Sequence, residues 1–186
     1  MNNKVVVDTF NSFMDNNFKD VFSERLLYSF LGPAWSEELL KFIILYFIVL
    51  RRNEFNEPMD GIVYGVVVSL GLATLENYDY VFIFAEQWGI EPLQMAIARS
   101  FTAVPMHGLN GCIMGFYFGM YAFTGNKKYL ILCLLIPFVI HGLYNFLSYP
   151  YHYSIVGIVT IYSIVLHSIF KQLQNKKKRE GEIKKI

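Results

Sequence analysis

Apolar runs, each about as long as a bilayer-crossing helix, constrain this chain more than any other feature of its sequence. A hydrocarbon core of about 30 Å takes ~20 helical residues at 1.5 Å each. Such runs extend from about Leu26 to Leu50, with Gly32-Pro33 interrupting, and from Gly61 to about Ala85. A third begins near Pro92, becomes fully apolar after Arg99 and continues to Phe123. A fourth covers Tyr129 to Leu147, and a fifth leads from the Tyr149-Pro150-Tyr151 turn to near Phe170. Backbone polar groups in lipid must be bonded within their own segment, so spans of this kind are helices. The expected fold class is all-α, a polytopic transmembrane helix bundle of about five spans. Composition agrees, since 54% of the 186 residues are hydrophobic and the mean hydropathy is +0.36, more apolar than most soluble domains. The chain reads as an N-terminal extracytoplasmic or interfacial segment (1–22), one membrane domain (23–172) and a basic cytoplasmic tail (173–186), without internal repeats.

The net charge of +1 says less than its distribution. Lys176, Lys177, Lys178, Arg179, Lys184 and Lys185 crowd the tail. A basic cluster just beyond a span marks the cytoplasmic side, so nucleic acid is not the expected partner. Arg51-Arg52, Lys127-Lys128 and the tail alternate with an acidic loop (Glu86, Glu91) and the uncharged 149–152 turn. Five spans satisfy that alternation with the N-terminus outside and the C-terminus inside, as a multi-pass protein of a prokaryotic plasma membrane. Trp35, Trp88, Tyr149 and Tyr151 then fall near the outer interface. No secretory signal is read in the mixed polar and apolar start. Cys112 and Cys133 lie in apolar runs and read as small buried hydrophobes.

Ionisable groups inside the spans carry the functional signal. A carboxylate in hydrocarbon costs ~2.5 kcal/mol or more and persists mainly against a cavity or a partner. Glu37, Glu38 and Lys41 form a Glu-Glu-x-x-Lys motif, with Glu37 and Lys41 four apart on one helix face. Their structural alternative is a first helical turn after Pro33, stabilised by two acids. Glu76 and Asn77 end a stripe of small residues (Gly61, Gly65, Ser69, Ala73) at intervals of four, which lets helices approach closely and turns Glu76 into the bundle. His107 lies on a matching stripe with Ala103, Gly111, Gly115 and Gly119. Arg99, two turns earlier, either snorkels outward or clamps a carboxylate. His141 and Asn145 share a face one turn apart. His152 and His167 lack such company and read as structural. By depth, His141, Glu76 and His107 lie roughly 10, 12 and 9 Å inside the outer ends of their spans. Acids and imidazoles therefore gather at one level of the outer leaflet.

Glu37-Glu38-x-x-Lys41, Asp60-Gly61-x-x-x-Gly65, Gly71-Leu-Ala-x-x-Glu76-Asn77, Arg99 with His107, and His141-x-x-x-Asn145 together resemble the PrsW family of intramembrane proteases, within the wider CAAX-protease and bacteriocin-immunity group. The match covers roughly residues 33 to 148. The resemblance implies site-one cleavage of a membrane-anchored anti-sigma factor, or of a similar single-span substrate, near the extracytoplasmic side. It also implies that Glu37, Glu38, Glu76, His107 and His141 are essential, with Asn145 beside them and Lys41, Asn77 and Arg99 in support. Family members commonly carry additional spans before the double glutamate, where this chain has a short polar segment. The chain therefore reads as a minimal or a truncated version.

Two schemes for hydrolysis follow. No Ser or Cys has a base at recognisable spacing, and no aspartate pair lies deep in two spans, so a water must be activated directly. In one scheme Glu38 or Glu37 is the general base, assisted by His107, while His141 and Asn145 polarise the carbonyl. In the other, His107, His141 and a glutamate such as Glu76 hold zinc, with another glutamate as base. Two further readings stand beside the peptidase. One is a catalytically silent immunity or scaffold protein. The other is an ion or proton transporter, disfavoured because the polar groups concentrate in one leaflet without a repeat.

Overall fold

Prolines and glycines decide where this chain's helices start, break and approach one another. The computed structural model describes residues 21–148 and Lys171. Among these residues the structure is all-helical: α1 (Val21–Ser29), α2 (Trp35–Phe47), α3 (Pro58–Asp79), α4 (Pro92–Phe101), α5 (Ala103–Thr124) and α6 (Lys127–Ser148). The expected fifth span, the Tyr149-Pro150-Tyr151 turn, His152, His167 and the basic residues of the tail from Lys176 on lie outside the described residues, as do residues 1–20 of the N-terminal segment.

Pro58 opens α3 where a missing N–H costs nothing, and Asp60 Oδ2 accepts the backbone N–H groups of Asn56 and Glu57. Beyond Asp79 the rod continues through a wide turn, Tyr80–Phe84, to Gln87. Between α1 and α2 the backbone breaks at Gly32 (φ −82°, ψ −111°), directly before Pro33. The third apolar run is also divided, at Thr102 (φ −121°, ψ −75°). Pro105 explains the division, because it cannot donate to the preceding turn yet is tolerated in the first turn of a new helix. Pro137, by contrast, lies inside α6.

Among the described residues, two helices are long and apolar enough to cross a bilayer, Pro58–Gln87 and Lys127–Leu147. Helix α5 is as long as α6, at 22 residues. It carries His107, Asn110 and the packing glycines, and it forms the buried centre of the described bundle.

Small residues set the tightest contact. Gly61, Gly65, Ser69 and Ala73 are all buried on α3, facing Gly111, Gly115 and Gly119 of the antiparallel α5. A Cβ added at Gly61, Gly65, Gly111 or Gly115 would come within 3.0 Å of the partner's backbone. Ser69 Oγ donates to His107 O at 2.6 Å across this seam. The seam brings the start of α3 to the end of α5, where Phe55 and Phe123 pack with ring centroids 5.6 Å apart. Arg51-Arg52 and Lys127-Lys128 therefore flank one end of the bundle, while Arg99, Glu76 and the Tyr80–Trp88 ring pair lie toward the other. Helix α1 is tied to the end of α6, where Arg25 donates to Phe146 O and its guanidinium lies over the Phe146 ring.

Candidate active site

Three helices deliver the site. Glu37 and Glu38 stand in the first turn of α2, directly after the Gly32-Pro33 break. The first-turn alternative thus describes the local structure, yet burial goes with it: Glu38 is 0% exposed and the Glu37 side chain only 15%. Helix α5 contributes His107 and α6 contributes His141, both buried, with ring centroids 5.4 Å apart and planes at 83°. Helix side chains lean toward the N-terminus, so His107 reaches past the glycine seam to Glu76 at the far end of α3.

Glu38 is the anchor. Its Oε1 accepts from Lys41 Nζ at 2.7 Å, from Asn110 Nδ2 at 3.0 Å and lies 2.7 Å from His141 Nδ1. The spacing expectation pairs Lys41 with Glu37, four residues away; the structure pairs it with Glu38, three away, because Glu38 is the acid turned into the bundle. Lys41 Nζ also lies 3.2 Å from His107 Nδ1, and His107 Nε2 lies 2.9 Å from Glu76 Oε2. Glu76 Oε2 accepts from Arg99 Nη2 at 2.7 Å, Asn77 Oδ1 accepts from Arg99 Nε at 2.5 Å, and the Tyr80 ring lies 3.8 Å below the guanidinium carbon. Of the two alternatives for Arg99, the carboxylate clamp is the one observed.

These contacts fix the tautomers. A charged lysine only donates, so His107 Nδ1 accepts from Lys41 and the ring proton is on Nε2, facing Glu76. Carboxylates only accept, so His141 Nδ1–H donates to Glu38, and in the neutral ring Nε2 carries the lone pair.

Glu37 sits in the gap between the rings. Its Oε2 is 3.9 Å from His107 Nε2 and 3.9 Å from His141 Nε2, and it is buried without a hydrogen-bond partner among the described residues. A buried polar atom without a partner calls for an occupant or a functional role. The donor atoms of Glu37, His107 and His141 lie within 4.8 Å of one another. Two imidazole nitrogens and one carboxylate oxygen suit Zn²⁺, and Glu38 behind His141 supplies the carboxylate partner that metal-bound histidines usually have. The third ligand in reach of both rings is Glu37, whereas the sequence-based set named Glu76. Glu76 is held by Arg99, and His107 Nε2 reaches a cation only by giving up its bond to Glu76.

Not every expected residue joins the cluster. Asn145 is half-buried one turn beyond His141, and its Nδ2 has no hydrogen-bond partner among the described residues. Sequence reasoning missed Asn110, which is fully buried and also donates to Pro137 O at 3.1 Å. Its signal was present: Asn110 follows His107 by three residues, on the same helix face.

Comparison with known proteins gives a consistent picture. The family model described as PrsW family intramembrane metalloprotease matches residues 4–170. Protease PrsW of Clostridioides difficile (strain 630) is 35% identical over 164 residues, covering 86% of this chain and 67% of the relative. The proteins of the same name from Geobacillus kaustophilus (strain HTA426) and Bacillus subtilis (strain 168) are 44% and 43% identical, each over 64% of this chain and over 51% and 53% of the relative. The chain thus spans between about half and two thirds of the length of these relatives. No solved structure matches it.

Proposed function

The chain belongs to the PrsW family of intramembrane metalloproteases, and we propose from that premise that it is an intramembrane endopeptidase with its hydrolytic site at Glu37, His107 and His141. The observation that carries this reading is the bare, buried Glu37 Oε2 standing 3.9 Å from both imidazole Nε2 atoms.

Glu37 is the carboxylate suited to act as general base, because its Oε2 is unpartnered and faces a lone-pair nitrogen, His141 Nε2. Glu38 also has an unpartnered Oε2 among the described residues, but three groups bond its Oε1 and fix it as the carboxylate that orients His141. Glu37 takes a proton from the attacking water and returns it to the leaving amine, so one water is consumed and the peptide bond breaks. Asn145 Nδ2 is open to the oxygen of the scissile carbonyl, and His107 Nε2–H can reach it only by sharing the proton it gives to Glu76. This exchanges the roles assigned by spacing, where His141 polarised the carbonyl, because the Glu38 bond leaves His141 with a lone pair there. Glu76, fixed by Arg99, keeps the His107 ring in its orientation. In the alternative with zinc, Glu37, His107 and His141 would hold the ion, which would supply Lewis acidity to the water and the carbonyl, and the base would be another glutamate.

The substrate we propose is a membrane-anchored, single-span protein, anti-sigma-factor-like, cut near the extracytoplasmic side. The five-span topology with the N-terminus outside belongs to the same proposal. It is supported by the basic pairs Arg51-Arg52 and Lys127-Lys128 sharing one end of the bundle while the acidic cluster lies toward the other. The test is a cleavage assay in liposomes with a panel of single-span substrates. Wild type is run beside Glu38→Gln and His141→Ala, each with and without a zinc chelator. Cleavage lost in both variants is the expected result, and the chelator lanes choose between zinc and a bare glutamate. Equal cleavage by all three proteins would refute the site, and no cleavage by folded wild type would favour a silent immunity or scaffold protein.

A further inference from the structure

Asn110 is a fully buried polar side chain of the cluster that stands outside the motifs carrying the family resemblance. It lies on α5 one turn after His107, and its amide nitrogen contacts two oxygens from different helices: Glu38 Oε1 on α2 at 3.0 Å and Pro137 O on α6 at 3.1 Å. Both are acceptors, so the carboxamide orientation is unambiguous and the two amide hydrogens are both engaged. Pro137 has no N–H, so the α6 ladder is one bond short there. Its carbonyl stands one turn before His141, whose Nδ1–H must meet the same Glu38 oxygen that Asn110 touches.

We propose that Asn110 is a positioning residue of this site: by donating to Glu38 Oε1 and Pro137 O at once, it ties the proline-weakened turn of α6 to the carboxylate that orients His141. The consequence is a fixed Nδ1–H tautomer of His141, with Nε2 and its lone pair turned toward Glu37. Asn110 touches neither substrate nor reacting atoms, and the catalytic meaning of its role rests on the proteolytic reading above.

The experiment pairs Asn110→Ala with Asn110→Leu in lipid, since one removes the amide with its volume and the other keeps the volume. Melting temperature, kcat and KM on a cleaved single-span substrate are measured for each. Histidine-selective ¹⁵N NMR then reports which His141 nitrogen bears the proton, with Glu38→Ala as a reference for the untethered ring. The expected result is a kcat lower by on the order of 10–100-fold, as for other residues that orient a ligand from behind. KM stays within about twofold of wild type, and the His141 proton redistributes from Nδ1 toward Nε2. Unchanged kcat in both variants, or an unchanged Nδ1–H signal, would overturn the proposal. Loss of the folded bundle in both would do so too, by making the role structural. If wild type cleaves nothing, the proteolytic reading fails by itself and the NMR signal still decides the place of Asn110.

Discussion

Four ionisable side chains with almost no exposure sit beside one another here, and their arrangement explains why such an expensive group survives. Glu38 and Lys41, 0% and 1% exposed, neutralise each other, and each also contacts an imidazole, His141 at Glu38 Oε1 and His107 at Lys41 Nζ. Removing one partner of a buried ion pair costs about 3–5 kcal/mol, because the survivor stays buried and charged. Lys41→Met should therefore lower the melting temperature markedly in a detergent or lipid melt. A change small enough to match an exposed lysine would show that Glu38 is not an ion in the fold. Arg99 offers a second prediction. Its fork reaches Asn77 and Glu76 together and its plane lies on Tyr80, a geometry that lysine cannot reproduce. Arg99→Lys should lower kcat about 10–100-fold with little change in melting temperature. Wild-type turnover in that variant would leave Glu76 without the support assigned to Arg99. At this scale the acids, imidazoles and Arg99 were legible in sequence, because a charge in an apolar run is conspicuous. Which glutamate faces which ring was not legible, since Glu37 and Glu38 are neighbours on one turn. Only the Gly32-Pro33 break decides how that turn is aimed.

Helices meet at the distance their smallest residues permit, and the α3–α5 seam is the clearest case. A side chain at Gly65 or Gly115 has backbone in its way, whereas Gly71 has open space around it. Gly115→Leu should therefore abolish both the folded bundle and cleavage. Gly71→Ala should be neutral or slightly stabilising, within about 1 kcal/mol on the helix-propensity scale. Thermal melts of the two variants side by side make the comparison, and equal behaviour would mean that the seam does not govern packing. Sequence showed this seam plainly, as small residues at intervals of four. It did not show the division at Thr102, because the apolar run continues through it and a proline in a first turn leaves the hydropathy unchanged. The seam also explains the reach of His107. With the two backbones this close, Ser69 can bond His107 O while the ring extends to Glu76.

Across the whole molecule, charge and chemistry are segregated. The basic pairs Arg51-Arg52 and Lys127-Lys128 flank one end of the bundle, and the Glu76–Arg99 pair lies toward the other. Cysteine accessibility in sealed cells reads this polarity: a thiol at Asn126→Cys should be protected from an impermeant outside reagent, and one at Trp88→Cys should react. The reverse pattern would invert the proposed orientation and move the site to the inner leaflet. The most direct test of the central claim is single-turnover cleavage by Glu37→Gln, with substrate binding measured in the same liposomes. Glutamine keeps the shape of the side chain but cannot take a proton. The rate should fall by roughly 10²–10⁴-fold, the usual share of a general base, with binding unchanged. Cleavage within a few-fold of wild type would contradict the assignment of Glu37, and with it the site built around its bare oxygen.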